Sequence, residues 1–184
     1  MEKKKHQETP MAVIQELPMN ENLELSQDMN RERPENGNGV DGDMLLTEHF
    51  RLSEFTRSGV AIRLGIDNKA SAAVAENLRQ LCIHVLEPLR RRFGVLRITS
   101  GYRCKKLNRA VGGTARSRHL TGNAADLHIS SVEVGDKMFD FALQNLDFDE
   151  LLFEHNKNRG TRWLHVSYMP NGRNRRRAVR RYFV

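Results

Sequence analysis

The sequence predicts one α+β domain, with helices and strands mixed along the chain, behind an acidic tail without structure. Three observations carry that reading. Val74, Leu78, Leu81, Val85 and Leu89 recur at spacings of three and four, the pattern of an amphipathic helix. Around 162 to 168 the period drops to two: Trp163, His165 and Ser167 alternate with Leu164, Val166 and Tyr168, as on a half-buried strand. Residues 1 to 43 are rich in Glu, Asn and Gln, with too few large apolar side chains to offset the entropy of ordering them. The full length of 184 residues suits a single domain with a real core.

The elements follow in order from Leu52. Ser71 is placed to cap a helix reaching about 92, with Cys82 on its buried side and Pro88 bending it near its end. Val95 begins a strand to about 99, and Ser100-Gly101-Tyr102-Arg103 leads into a short helix through Leu107 that Gly112-Gly113 terminates. A strand over about 124 to 129 carries Asp126. A helix over about 132 to 144 turns Val134, Met138, Phe141 and Ala142 inward, and two strands follow at about 150 to 154 and 162 to 168. The domain is therefore drawn over 44–170. The remaining 171–184 are read as an arginine-rich segment, with six arginines and no acid between 173 and 181. No internal repeat is visible.

Charge is unevenly spread. Residues 1 to 44 hold five Lys/Arg against ten Asp/Glu, a net −5, so the overall +7 leaves +12 on residues 45 to 184. A basic body points to a polyanionic neighbour such as a cell-wall polymer, nucleic acid or anionic membrane, set against a plain solvated basic surface. The arginine-rich end lacks interleaved aromatics and any recognition motif, which argues against nucleic acid. No stretch approaches the ~20 apolar residues of a membrane span. The apolar run Met11-Ala12-Val13-Ile14 is far below the ~7–15 residues of a signal-peptide core. Localisation stays open, and action on a cell wall requires export or release by another route. A monomer is expected.

The chemistry concentrates in two segments. Ser117-Arg118-His119-Leu120-Thr121-Gly122-Asn123-Ala124-Ala125-Asp126 is answered by Trp163-Leu164-His165-Val166-Ser167. Together they offer two imidazoles and a carboxylate, the N/O ligand type of catalytic zinc, which leaves a fourth position open for water. The two cysteines, Cys82 and Cys104, lie far from both segments, so a closed cysteine-rich structural site is excluded. His128, two residues past Asp126, is an alternative ligand; His84 and His155 have weaker claims.

The first segment matches S-x-H-x-x-G-x-A-x-D, the second W-x-H, and Ser100-Gly101-Tyr102-Arg103 supplies an S-G-Y-R ahead of both. In this order the three motifs resemble the zinc D-alanyl-D-alanine peptidases, a family of carboxypeptidases and endolysin-type metallopeptidases whose zinc core is shared with the Hedgehog domain. The likeness covers about 45 to 170, including Leu52-Ser53-Glu54-Phe55 and the helix around Asn77-Leu78. It implies a small antiparallel sheet carrying the zinc site, flanked by helices. The implied ligands are His119, Asp126 and His165, and the implied activity is hydrolysis of peptidoglycan stem peptides.

Relatives commonly place an acid three residues before the last histidine; here that position is Arg162, which cannot accept a proton. Glu154, on the strand expected to pair beside His165, is the substitute base, with Glu150 as runner-up. Arg103 would hold a substrate carboxylate or stabilise the oxyanion. Ser117 would bind substrate or orient the ligand loop, and Trp163 would wall the substrate groove or shield the site. The alternative function, favoured by Arg162, is a zinc-bound but weak or inactive cell-wall-binding module.

Overall fold

A computed structural model describes residues 43–172 and 174–183, with the backbone alone for Phe183. The tail expected over 1–43 lies outside these residues except for Asp43, and so does Arg173. The fold is α+β, as the sequence predicts.

Two short helices come first, α1 (Leu52–Thr56) and α2 (Gly59–Leu64). A long helical stretch follows. Its first part, α3 (Ala72–Leu81), is capped by Ser71, whose hydroxyl accepts the Val74 N–H at 3.3 Å. It then passes through a π turn (Cys82–Leu86) into α4 (Glu87–Phe93). The perturbation expected at Pro88 is this turn: the Glu87 N–H reaches back five residues to the Cys82 carbonyl, just before a residue with no N–H to donate. Leu78, Leu81, Val85 and Leu89 are buried as the spacing demands, and Cys82 with them.

The rest of the order is β1 (Ile98–Ser100), α5 (Lys105–Ala110), a 3₁₀ turn (Arg118–Thr121), β2 (Ala124–His128), α6 (Val132–Asn145), β3 (Glu150–Asn156), β4 (Thr161–Ser167) and β5 (Arg177–Phe183). The strands form one sheet in the order β1-β2-β4-β3-β5. Asp126 stands opposite His165 across β2 and β4, and Leu152 opposite His165 across β3 and β4. One face of the sheet carries Ala125, Leu127, Leu151, Phe153, Leu164 and Val166 into a core shared with α3, α4 and α6. Full burial of each of these side chains larger than alanine is worth about 1.5–3 kcal/mol. The opposite face carries Asp126, Trp163, His165 and Glu154.

Two features differ from the sequence reading. The buried stripe of α6 is Gly135, Met138, Phe139 and Ala142, while Val134 is exposed and Phe141 only partly buried. Gly135 explains the rotation: a Cβ there would sit 2.3 Å from the Phe153 ring, so the helix seats its one bare backbone position against the sheet. The second is β5, which lies in the arginine-rich segment and runs parallel to β3, making the sheet mixed and not wholly antiparallel. Its arginines find acids on both faces: Arg177 reaches Glu150 at 2.8 Å, and Arg180 pairs with Asp136 and Asp140 of α6 while lying over the Phe139 ring.

Candidate metal centre

The sheet register brings Asp126 and His165 side by side on adjacent strands, with His165 Nδ1 2.8 Å from Asp126 Oδ1. His119 arrives from the 3₁₀ turn, with Nε2 3.4 Å from Asp126 Oδ2. The turn closes through Gly122, which takes a left-handed φ of 73° and passes so close to α3 that a Cβ would lie 2.7 Å from the Val74 carbonyl oxygen. Ser117 Oγ accepts the His119 N–H at 3.4 Å and caps the turn. His119 is 4 % exposed, and its Nδ1 lies 2.6 Å from the Gly101 carbonyl. A carbonyl only accepts, so Nδ1 carries the proton and Nε2 presents its lone pair to the centre.

These three residues fit a metal. Their ligand atoms lie within 4.8 Å of one another. Tetrahedral zinc with bonds of about 2.0–2.2 Å places its ligand atoms roughly 3.3 Å apart, close to the separations found here. Burial acts to raise the Asp126 pKa, but its contacts with the His119 and His165 rings outweigh it and hold the carboxyl well below the usual carboxylate range. The ligand set is thus anionic at neutral pH.

Arg103 reaches the same carboxylate, its Nη2 donating to Asp126 Oδ2 at 2.9 Å and its Nε to Ser100 Oγ at 2.8 Å. Trp163 lines a cleft with Asp126, Thr99 and His128. Its indole N–H donates to Glu154 Oε2 at 2.9 Å, and Arg181 approaches the other Glu154 oxygen at 3.4 Å. Glu154 stands opposite Trp163, two pairs along the ladder from His165 and on the same face of the sheet. Glu150 lies at the other end of the strand, paired with Arg175 and Arg177. Arg162 donates to the carbonyls of Ser130 and Gly160. His128 is exposed and outside the close trio, His84 stacks on Tyr168, and His155 packs edge-on to Tyr182.

The sequence reading missed two elements of this centre. One is the Gly101 carbonyl, a backbone group that no side-chain motif announces. The other is Asp149, fully buried, which joins Arg118 beside His119 to Arg175 ahead of β5. An acid between Phe148 and the apolar run Leu151-Leu152-Phe153 was the available signal. A second trio, Glu48, His49 and Glu87, serves to tie the start of the domain to α4. There the buried Glu87 accepts from Thr47 Oγ1 and the His49 N–H and meets His49 Nδ1 at 2.8 Å.

Residues 48–167 match the model of the Peptidase M15 family. This chain belongs to that family. The match spans every segment of the M15 domain that builds the centre, from α1 to the end of β4. No curated protein matches the chain. M15 peptidases are metal-dependent, in keeping with the His119, Asp126 and His165 trio. Among the described residues, no helix is long and apolar enough to cross a membrane.

Proposed function

We propose that this M15 domain is a zinc peptidase that hydrolyses peptide bonds in bacterial peptidoglycan stem peptides, as a D-Ala-D-Ala carboxypeptidase or an endolysin-like endopeptidase. The observation that carries the reading is the convergence of His119 Nε2, the Asp126 carboxylate and His165 Nδ1, beside a cleft that Asp126 lines. Those residues would hold the zinc, which supplies Lewis acidity and makes water nucleophilic at neutral pH.

The remaining work falls to the chain. The Gly101 carbonyl fixes the tautomer and aim of His119. Glu154 takes the proton of the attacking water and returns it to the leaving amine, its carboxylate oriented by the Trp163 indole. Arg103 stabilises negative charge developing on the carbonyl oxygen, or holds a substrate carboxylate. Trp163 and Thr99 flank the peptide.

A second reading, a zinc-bound binding module, has its own observation: both Glu154 oxygens are already engaged, by Trp163 and by Arg181. Digestion of purified peptidoglycan by zinc-loaded and by chelator-treated protein, followed by mass analysis of released peptides, separates the two. The peptidase reading expects new termini only with zinc. Pelleting of intact protein with the wall and no released peptide would establish the binder.

A further inference from the structure

We propose that the cleft between α2 and the Ser100-Gly101-Tyr102-Arg103 segment is an anionic subsite. It takes a substrate carboxylate, held by Arg57 and Arg63 with Ile62 as an apolar wall. The proposal rests on the peptidase reading of the neighbouring metal centre and adds to it the charge that the substrate must carry.

The cleft measures about 570 Å³, and no acidic residue lines it. Its cations are Arg57, Arg63 and Arg103. Arg103 is committed to Asp126 and Ser100, but the side chains of Arg57 and Arg63 have no hydrogen bond or ion pair among the described residues. They contrast with the arginines of β5, which are matched to acids one by one. Between them Ile62 is 80 % exposed, far more than an isoleucine gains from by facing water. Two uncompensated guanidinium groups flanking an apolar side chain fit a carboxylate on a short aliphatic stem.

The wall is also held rigidly. The underside of α2 buries Ala61 against Ile66 and Leu107, so its top has one fixed orientation. Ser58 caps its start and Gly65, left-handed at φ 59°, ends it. Asn68, buried at 8 % exposure, ties the wall to the floor: its Nδ2 donates to the carbonyls of Thr56 and Tyr102, and its Oδ1 accepts the Cys104 N–H. Arg57 follows Thr56 and Arg103 follows Tyr102, so one buried amide sets the spacing between the two arginines. The floor is continuous with the metal centre through Gly101, whose carbonyl orients His119. Thr99 borders both this cleft and the one lined by Asp126 and Trp163. A peptide crossing the centre therefore places one end between Arg57 and Arg63.

Lysine-type stem peptides carry carboxylates in two places, at the D-glutamate α-carbon and at the C-terminus. The test uses the zinc-loaded protein and three synthetic peptides: L-Ala-γ-D-Glu-L-Lys-D-Ala-D-Ala, its twin amidated at the D-glutamate α-carboxylate, and its twin amidated at the C-terminus. Binding is followed by calorimetry and cleavage by chromatography. Wild type is expected to favour the parent over one of the twins by about tenfold in Kd or kcat/KM, the scale of a charge-assisted contact. The twin that loses names the carboxylate.

Arg57→Ala/Arg63→Ala should bring the parent down to that twin, with zinc content and Tm unchanged, and Arg57→Lys/Arg63→Lys should recover part of the preference. A preference that survives in the double alanine variant, or a wild type indifferent to both amidations, overturns the subsite. Discrimination in binding without any cleavage sinks the peptidase reading and leaves the subsite standing.

Discussion

Replacing Gly101 by alanine tests whether the backbone beneath the metal centre is as constrained as its geometry implies. A Cβ at this position would lie 2.6 Å from the Cα, Cβ and carbonyl oxygen of Phe55. Carbon atoms in ordinary contact sit about 3.5 Å apart, so the overlap approaches ~1 Å. The obstacle is backbone in α1 with Phe55 fully buried behind it, not the end of a flexible chain. Either α1 or the Gly101 strand end must move. Overpacking of this kind costs about 1–3 kcal/mol. The same displacement moves the carbonyl that accepts His119 Nδ1–H at 2.6 Å, and loss of such a supporting bond typically weakens metal binding by about 10–100-fold.

Gly101→Ala is therefore expected to lose several degrees in Tm and at least tenfold in zinc affinity, read by competition with a chromophoric chelator. Gly59→Ala is the control, since no atom lies within 4 Å of a Cβ there, and it should leave both quantities where they are. If Gly101→Ala binds zinc as tightly as wild type, the Gly101 carbonyl does not position His119.

Three further outcomes follow from the same geometry. Glu154→Gln keeps the Trp163 hydrogen bond but removes the proton acceptor; turnover on peptidoglycan should fall about 10²–10⁴-fold with zinc content unchanged, and equal turnover would place the base elsewhere. Asp149→Asn should cost about 2 kcal/mol at pH 7, the low side for breaking a buried pair because both arginines reach solvent. Burial raises the Asp149 pKa, but the Arg175 hydrogen bonds and the charges of Arg118 and Arg175 hold it below its ordinary value. Its stabilisation is thus complete above the unfolded value of about 3.9 and is lost as pH falls through the folded one, so melts of wild type and variant should converge below about pH 4. Burial, with Glu87 and Glu54 nearby, pushes the Cys82 thiol up, so alkylation of the folded protein at pH 8 should label Cys104 and spare Cys82.

Two of the three candidate ligands, Asp126 and His165, sit on strands whose period the sequence shows, while His119 lies on a 3₁₀ turn and was singled out by the motif alone. Alternation along 162–168 put His165 on the face away from Leu164 and Val166, and the structure keeps it there. Asp126 meets it because β2 and β4 pair in register. Where tertiary contacts choose between alternatives, the periods were insufficient. The α6 pattern put Val134 on the inner face, and the close approach of the Phe153 ring puts Gly135 there instead. Arg177, Arg180 and Arg181 hid β5, since a strand with this many charges forms only where acids such as Asp136, Asp140 and Glu150 receive them. The Gly101 carbonyl and the Asn68 clamp are backbone-centred, and their partners are 18 and 34 residues away along the chain, beyond any local pattern.

The central claim is that His119, Asp126 and His165 hold one zinc ion, and anomalous diffraction across the zinc edge from crystals of the metal-loaded protein tests it most directly. One peak is expected about 2.0–2.2 Å from His119 Nε2, an Asp126 carboxylate oxygen and His165 Nδ1, and none in crystals of His119→Ala. A peak at Glu48, His49 and Glu87 instead, or a peak at the first trio that survives His119→Ala at full height, would contradict the account.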